Sequence, residues 1–260
     1  ESLNVVEAAY QAGWAFRQAN RVPDARRLYW GVIERYGNNK KWEGFGPLIQ
    51  DLKRLYGGES EENSFANAYE NAIDKARSGG RTTLLSRLVL AQMRWEKLDT
   101  LADAESYSRR FHTEDLDAES LAFLGDKFTK AALGQKGMSY LDLLLTNFPS
   151  SRFVDLAYAR KAEVYWADKD YEKALVMAGT AVEKAYDPIV YLEANYTRAR
   201  ALHVLEKYDE AIESYNLVLA NRMTPKPLKP ESMLGVAACL EAKGDYKKAI
   251  PYYQRIYVMY

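Results

Sequence analysis

The chain has 260 residues, with 36 basic and 36 acidic side chains, 48% apolar and 28% charged composition. Zero net charge, with the two signs interspersed, excludes the basic face that phosphate-backbone binding requires, so nucleic acid is not an expected partner. One cysteine, Cys239, rules out an intrachain disulfide and a cysteine-rich zinc site, and no apolar run approaches the roughly 20 residues needed to cross a bilayer.

In residues 1–39, Gly13 is followed twelve positions later by Ala25, with Phe16, Tyr29 and Val32 at the bulky positions of a helical hairpin. Between Lys40 and Gly80 the composition stays helical but the pattern is lost. Gly44, Gly46, Gly57, Gly58, Gly79 and Gly80 interrupt it, and two irregular helices are expected near 43–56 and 62–78. Gly79-Gly80 lacks the glycine-lysine step of a phosphate loop and reads as a helix stop. Leu84 to Phe111 is helical by the spacing of Leu84, Leu88, Ala91 and Trp95, in a register that the pattern leaves ambiguous.

From residue 116 the pattern becomes regular. Small residues pair twelve apart as Gly125/Gly137, Ala162/Ala174, Ala199/Ala211 and Ala237/Ala249, and the first members are spaced by 37, 37 and 38. Tyr171, Tyr208 and Tyr246 recur at 37 and 38, each followed three residues later by alanine. Two helices need a small residue where they cross and bulky residues on either side. A period this long therefore means one helical hairpin per repeat. The 112 residues from Gly13 to Gly125 are close to three further periods, so seven hairpins fit. Helices of this length are marginal alone, and stacking must supply their stability. Thr224 to Pro230, with three prolines, is expected to be an extended strut, and Pro251 to kink the last helix at up to about 3 kcal/mol. The opening Glu1-Ser2-Leu3-Asn4 and the apolar end at Ile256, Tyr257, Met259 and Tyr260 lack the polar caps of a solenoid, so the natural chain is expected to continue beyond them.

These residues resemble the tetratricopeptide repeat family, with small residues at positions eight and twenty of each repeat and bulky ones between. The fourth to seventh units match through Phe128, Leu141, Leu144 and Pro149, then Tyr165 and Tyr171, then Leu202, Tyr208, Tyr215 and Val218, then Leu240, Tyr246, Tyr253 and Ile256. The resemblance implies an all-α, right-handed superhelical solenoid. Residues 1–39 would form the first repeat, 40–115 two divergent ones and 116–260 the last four, in one continuous array. It also implies that first helices line an inner curve that holds a protein segment. Carried over residue by residue, the contact positions are Tyr10, Trp14 and Arg17; Ala122, Asp126 and Thr129; Ala159, Glu163 and Trp166; and Tyr196, Arg200 and His203. Aromatic and arginine side chains dominate binding hot spots. Tyr196 and Arg200 stand where some family members carry the lysine and asparagine that clamp a C-terminal carboxylate, so that clamp is not matched.

Residues 148–174, from Phe148-Pro149-Ser150-Ser151 to Asp170-Tyr171-Glu172-Lys173-Ala174, also resemble repeats of bacterial envelope proteins, the periplasmic TolA-binding and barrel-assembly lipoprotein types. That resemblance implies a periplasmic or outer-membrane-associated setting. Catalytic signals are absent. His112 and His203 lie in different repeats, His112 in the loop Phe111-His112-Thr113-Glu114-Asp115 and Cys239 on a helix beside Ala237 and Leu240, without oriented partners. The expected function is a non-enzymatic interaction scaffold without metal or cofactor, the alternative being a regulatory segment of a larger multidomain protein.

Overall fold

The computed structural model describes the backbone of residues 2–57 and 59–259 and the side chains of residues 6–57 and 64–259. Among them every regular element is helical: α1 (Ser2–Gln18), α2 (Val22–Tyr36), α3 (Phe45–Arg54), α4 (Glu59–Ser78), α5 (Thr82–Trp95), α6 (Leu101–Arg110), α7 (Ala118–Lys130), α8 (Gly134–Asn147), α9 (Val154–Ala167), α10 (Tyr171–Glu183), α11 (Pro188–Val204), α12 (Tyr208–Ala220), α13 (Leu228–Ala242) and α14 (Tyr246–Met259), with a 3₁₀ turn at Thr113–Asp115. The chain divides into two compact units, Glu1–Leu124 and Gly125–Tyr260, and the division falls within α7.

In the second unit the small residues stand where backbones cross. Ala162, Ala174, Ala199, Ala211 and Ala237 are fully buried, and Gly125 and Gly137 are buried as well. A Cβ added to Gly137 would lie 2.5 Å from Thr129 Cγ2, 2.8 Å from Thr129 N and 3.1 Å from the Gly125 carbonyl oxygen. Leu141, Leu144, Leu202 and Tyr215 fill the space beside the crossings. The first helix α11 buries residues around most of its circumference, from Val190 and Leu192 to Ala201 and Leu202, because neighbours cover it on two sides. Second helix α12 buries only a stripe, at Ala211, Ser214, Tyr215 and Val218.

One turn closes every hairpin of this unit. Ala132, Lys169, Glu206 and Gly244 adopt left-handed φ values of 58°, 61°, 61° and 78°. The next amide donates back five residues in each case, Leu133 to Phe128, Asp170 to Tyr165 and Lys207 to Leu202 at 2.9 Å, and Asp245 to Leu240 at 2.8 Å. These are Schellman closures that satisfy helix-end carbonyls. Only Gly244 meets this conformation without steric cost; at the other three positions a side chain tolerates it at roughly 1–2 kcal/mol.

The first unit keeps the turn, but beyond the Gly13/Ala25 pair of α1 and α2 it does not keep the small residues. Asn20, Gly80 and Lys97 are left-handed, with the same backward bonds from Arg21, Arg81 and Leu98. They join α1 to α2, α4 to α5 and α5 to α6. Between 40 and 115, α3 and α4 fall where two irregular helices are expected, and turns of this kind at Gly80 and Lys97 join α4 to α5 and α5 to α6. Seven residues before and five after Gly80 lie Ile73 and Leu85, not glycine or alanine, so small-residue spacing could not reveal this hairpin.

Aromatic packing and one buried arginine replace the small crossings here. Trp30, Tyr56, Phe65, Tyr69 and Trp95 form a continuous cluster, with Tyr69–Trp95 at 4.8 Å and Phe65 at 5.3 Å from both Tyr56 and Trp95. Such pairs contribute about 0.5–1.5 kcal/mol each beyond area burial. Buried Arg87 meets Asp117 at 2.7 Å and donates to the carbonyls of Gly37 at 3.0 Å and Trp42 at 2.7 Å, pinning the connection between α2 and α3.

One expectation about proline changes. The strut ends at Pro227, since α13 begins at Leu228 and contains Pro230 in its first turn. First-turn amides have no intrahelical acceptor, so proline costs no hydrogen bond there. At Pro251 the helix α14 runs on without interruption, and both Pro251 and Lys247 are exposed.

Substituting Gly137→Ala should destabilise the chain by about 1–3 kcal/mol through backbone overlap. Gly179→Ala, within α10 where an added Cβ meets nothing within 4 Å, should be neutral or stabilising by up to about 1 kcal/mol. Urea denaturation of both variants checks the contrast.

Candidate binding surface

Helical spacing puts Tyr196 and Arg200 one turn apart on α11, and Trp166 reaches them from the last turn of α9. The Arg200 guanidinium carbon lies 4.5 Å from the Trp166 ring centroid and 4.6 Å from that of Tyr196, so the cation is held by two aromatic rings. Trp166 is braced by Tyr171 at 5.0 Å, and Tyr196 by Tyr215 at 6.1 Å. Burial, and then a hydrogen bond to Glu231, raise the Tyr196 phenol above its ordinary pKa, so it stays neutral and donates to that carboxylate.

Arg200 is held by rings but short of acceptors. Its Nη2 donates to Thr197 Oγ1 at a long 3.4 Å, and its buried Nε has no hydrogen-bond partner. Among the described residues no carboxylate pairs with it.

Arg160 on α9 shows the opposite arrangement. Its side chain is buried, with Nε 2.5 Å from Asp126 and Nη1 3.0 Å from Glu163 and 2.8 Å from Glu193. The Glu193 contact is an ion pair without hydrogen-bond alignment, which leaves Glu193 Oε2 otherwise unsatisfied. Burial opposes ionisation of Asp126, but Arg160 and Lys130 outweigh it and its carboxyl lies below the ordinary value. For Glu163 burial prevails over Arg160, and repulsion from Glu193 adds to it, so that carboxyl is raised.

The other sequence-derived positions are placed as follows. Asp126 is committed to Arg160 and to Lys130 at 3.1 Å. His203 is half-buried, edge-on to Tyr208 at 6.0 Å, and burial lowers its pKa, which keeps it neutral at neutral pH. Ala122 and Ala159 are buried, which corrects their expected exposure, and Thr129 Oγ1 donates to the Gly125 carbonyl of its own helix. In the first unit the Tyr10 hydroxyl donates to Asp51 and its ring stacks on Tyr29, so it belongs to the packing there. Trp14 is 55% exposed and Arg17 is exposed. Of the twelve positions carried over as contacts, Trp166, Tyr196 and Arg200 meet in one cluster.

Sequence spacing also missed a groove of about 940 Å³ in the first unit, over Phe65, Tyr69 and Trp95, with Lys53 Nζ 4.7 Å above the Trp95 ring. Its walls come from α3 and α5, where the repeat pattern fails. Cys239 is fully buried, and burial pushes its thiol up to about 11, far from a nucleophile at neutral pH. No group of three histidine, cysteine or acidic residues able to hold a metal occurs among the described residues, and none of their helices is long and apolar enough to cross a membrane.

The two carboxyl shifts have opposite consequences. Asp126, lowered in the fold, contributes stability above its ordinary value of 3.8 that is lost as pH falls through its folded value. Glu163, raised, contributes stability below 4.5 that is lost as pH rises through its folded value. Arg160→Met should therefore cost about 3–5 kcal/mol at neutral pH by orphaning three carboxylates, and less near pH 4. Glu163→Gln should be at least as stable as the parent at neutral pH. Urea titrations of both variants at the two pH values measure this.

Residues 159–225 and 196–260 match the model of the tetratricopeptide repeat. No curated protein matches the chain in sequence. Among solved structures, a crystal structure of the MamA protein is 17% identical, covers 73% of this chain and 88% of that one, and superposes with a TM-score of 0.44. MamA AMB-1 is 18% identical over 75% of this chain and 98% of that one, with a TM-score of 0.47. The RS-1 ArsTM double mutant of MamA is 18% identical over 74% and 92%, with a TM-score of 0.47. The buried small residues, the recurrent left-handed turn and the matched repeats agree over residues 159–260, which are tetratricopeptide repeats.

Proposed function

We propose that this protein-interaction scaffold binds an acidic peptide segment or partner helix on the first-helix face formed by α9 and α11. The observation that carries this reading is Arg200, stacked between two rings, with an unsatisfied Nε and no carboxylate partner among the described residues. A stacked guanidinium is pre-organised for a carboxylate, and Trp166 and Tyr196 offer apolar surface beside it. The segment best suited carries aspartate or glutamate next to a large apolar side chain. Arg160, already surrounded by three carboxylates, does not compete for it. The resemblance of residues 148–174 to envelope repeats supports a bacterial cell-envelope assembly as the setting.

Pulldown from the native host with the parent chain and with Trp14→Ala, Trp166→Ala and Arg200→Ala tests the surface. Trp166→Ala and Arg200→Ala should each lower partner recovery at least tenfold, and Arg200→Lys should fail to restore it, because lysine lacks the planar fork. Equal recovery by all variants would contradict the proposal.

A further inference from the structure

The groove of the first unit is built from one face of each of three helices. Phe45 and Ile49 on α3, Phe65 and Tyr69 on α4, and Ala91 and Trp95 on α5 are spaced by four residues, so each pair lies on one side of its helix. Phe45, Ile49, Phe65 and Tyr69 are buried, whereas Gln50, Lys53, Ala66 and Glu70 at the rim are exposed. The lining residues of α3 run from Phe45 to Arg54 and those of α5 from Arg87 to Trp95, a length of roughly 13 Å at about 1.5 Å per residue. About 940 Å³ over that length is a cross-section of about 70 Å², close to that of a rod about 10 Å wide, the width of a helix with its side chains. An extended segment would leave much of this width empty.

Charge around this groove is mostly neutralised within the chain. Arg54 meets Asp51 at 2.8 Å, Arg87 meets Asp117 at 2.7 Å, Arg94 pairs with Glu119, and Glu96 accepts from Gln92 at 2.8 Å. Lys53 on α3 and Glu70 on α4 remain, both exposed and neither with an oppositely charged partner among the described residues. The Lys53 ammonium rests over the Trp95 ring, not against an acid. One basic group and one acidic group, from different helices, are thus left open beside the same apolar floor.

We infer that this groove seats an amphipathic helix of a protein partner, with its apolar side chains on Phe65, Tyr69 and Trp95, an aspartate or glutamate on the flank that meets Lys53, and a lysine or arginine on the flank that meets Glu70. Apolar anchors at i, i+4 and i+7 match a length of about two turns. The anchors supply the buried area, and the exposed charge pairs select the partner and its orientation. The site shares no residue with the face of α9 and α11, and it takes a helix carrying both charges where that face takes an acidic segment.

Selection against the 260-residue chain from a phage-displayed library of amphipathic helical peptides, with leucine fixed at i, i+4 and i+7 and both flanks randomised, tests this. Enriched peptides should carry acidic residues along one flank and basic residues along the other, and circular dichroism should show them helical in the complex. Fluorescence anisotropy with one such peptide should give at least tenfold weaker binding for Ala66→Trp and for Gln50→Trp, each of which fills the groove from an exposed position. Lys53→Glu combined with Glu70→Lys should weaken binding about tenfold and shift the preference to a peptide with its flanks exchanged. Trp166→Ala and Arg200→Ala should bind the peptide as the parent does, so failure here and failure at α9 and α11 are told apart. Absence of enrichment, a peptide bound equally by the parent and both filled variants, or a flank-exchanged peptide bound equally by the parent overturns the inference.

Discussion

The close crossing of two helices at glycine or alanine is the constraint on which the second unit depends. At Gly137 the space for a side chain is already occupied by the Thr129 backbone and the Gly125 carbonyl. With the axes drawn this near, residues such as Leu141, Leu202 and Tyr215 become the filling between rods instead of surface decoration. Each hairpin on its own is too short to persist, and its apolar stripe becomes useful only when the next first helix covers it.

The proposed binding surface follows from that scaffold. First helices stacked side by side bring Trp166 from one repeat next to Tyr196 and Arg200 from the next, a meeting that no single helix could arrange. Two arginines in neighbouring repeats divide the electrostatic roles. Arg160 gathers three carboxylates and ties α7, α9 and α11 together, whereas Arg200 keeps its donors without acid partners among the described residues. The first locks the repeats, and the second is the one we propose for a partner.

Much of the second unit was legible because its determinants are local and periodic. Ala162, Ala199 and Ala237 announce themselves by spacing, and their burial follows from hairpin geometry. The first unit was less legible because its determinants are long-range. Arg87 reaches carbonyls fifty and forty-five residues away, at Gly37 and Trp42, and an arginine in a helix gives no sign of that in advance. The hairpin of α4 and α5 escaped notice since Ile73 and Leu85 occupy its crossing positions, leaving Gly80 as its one local trace. At the surface, residue type and register pointed to Trp166, Tyr196 and Arg200. They did not show that Asp126 would be consumed by Arg160, because that depends on a partner thirty-four residues away in another repeat.

Hydrogen exchange on a chain carrying Ala211→Leu, which enlarges a fully buried crossing residue between α11 and α12, tests the central claim most directly. If neighbours hold one another through these crossings, protection should fall beyond α11 and α12, in α9, α10, α13 and α14 as well. Loss of protection confined to α12, with its neighbours exchanging as in the parent, would contradict it.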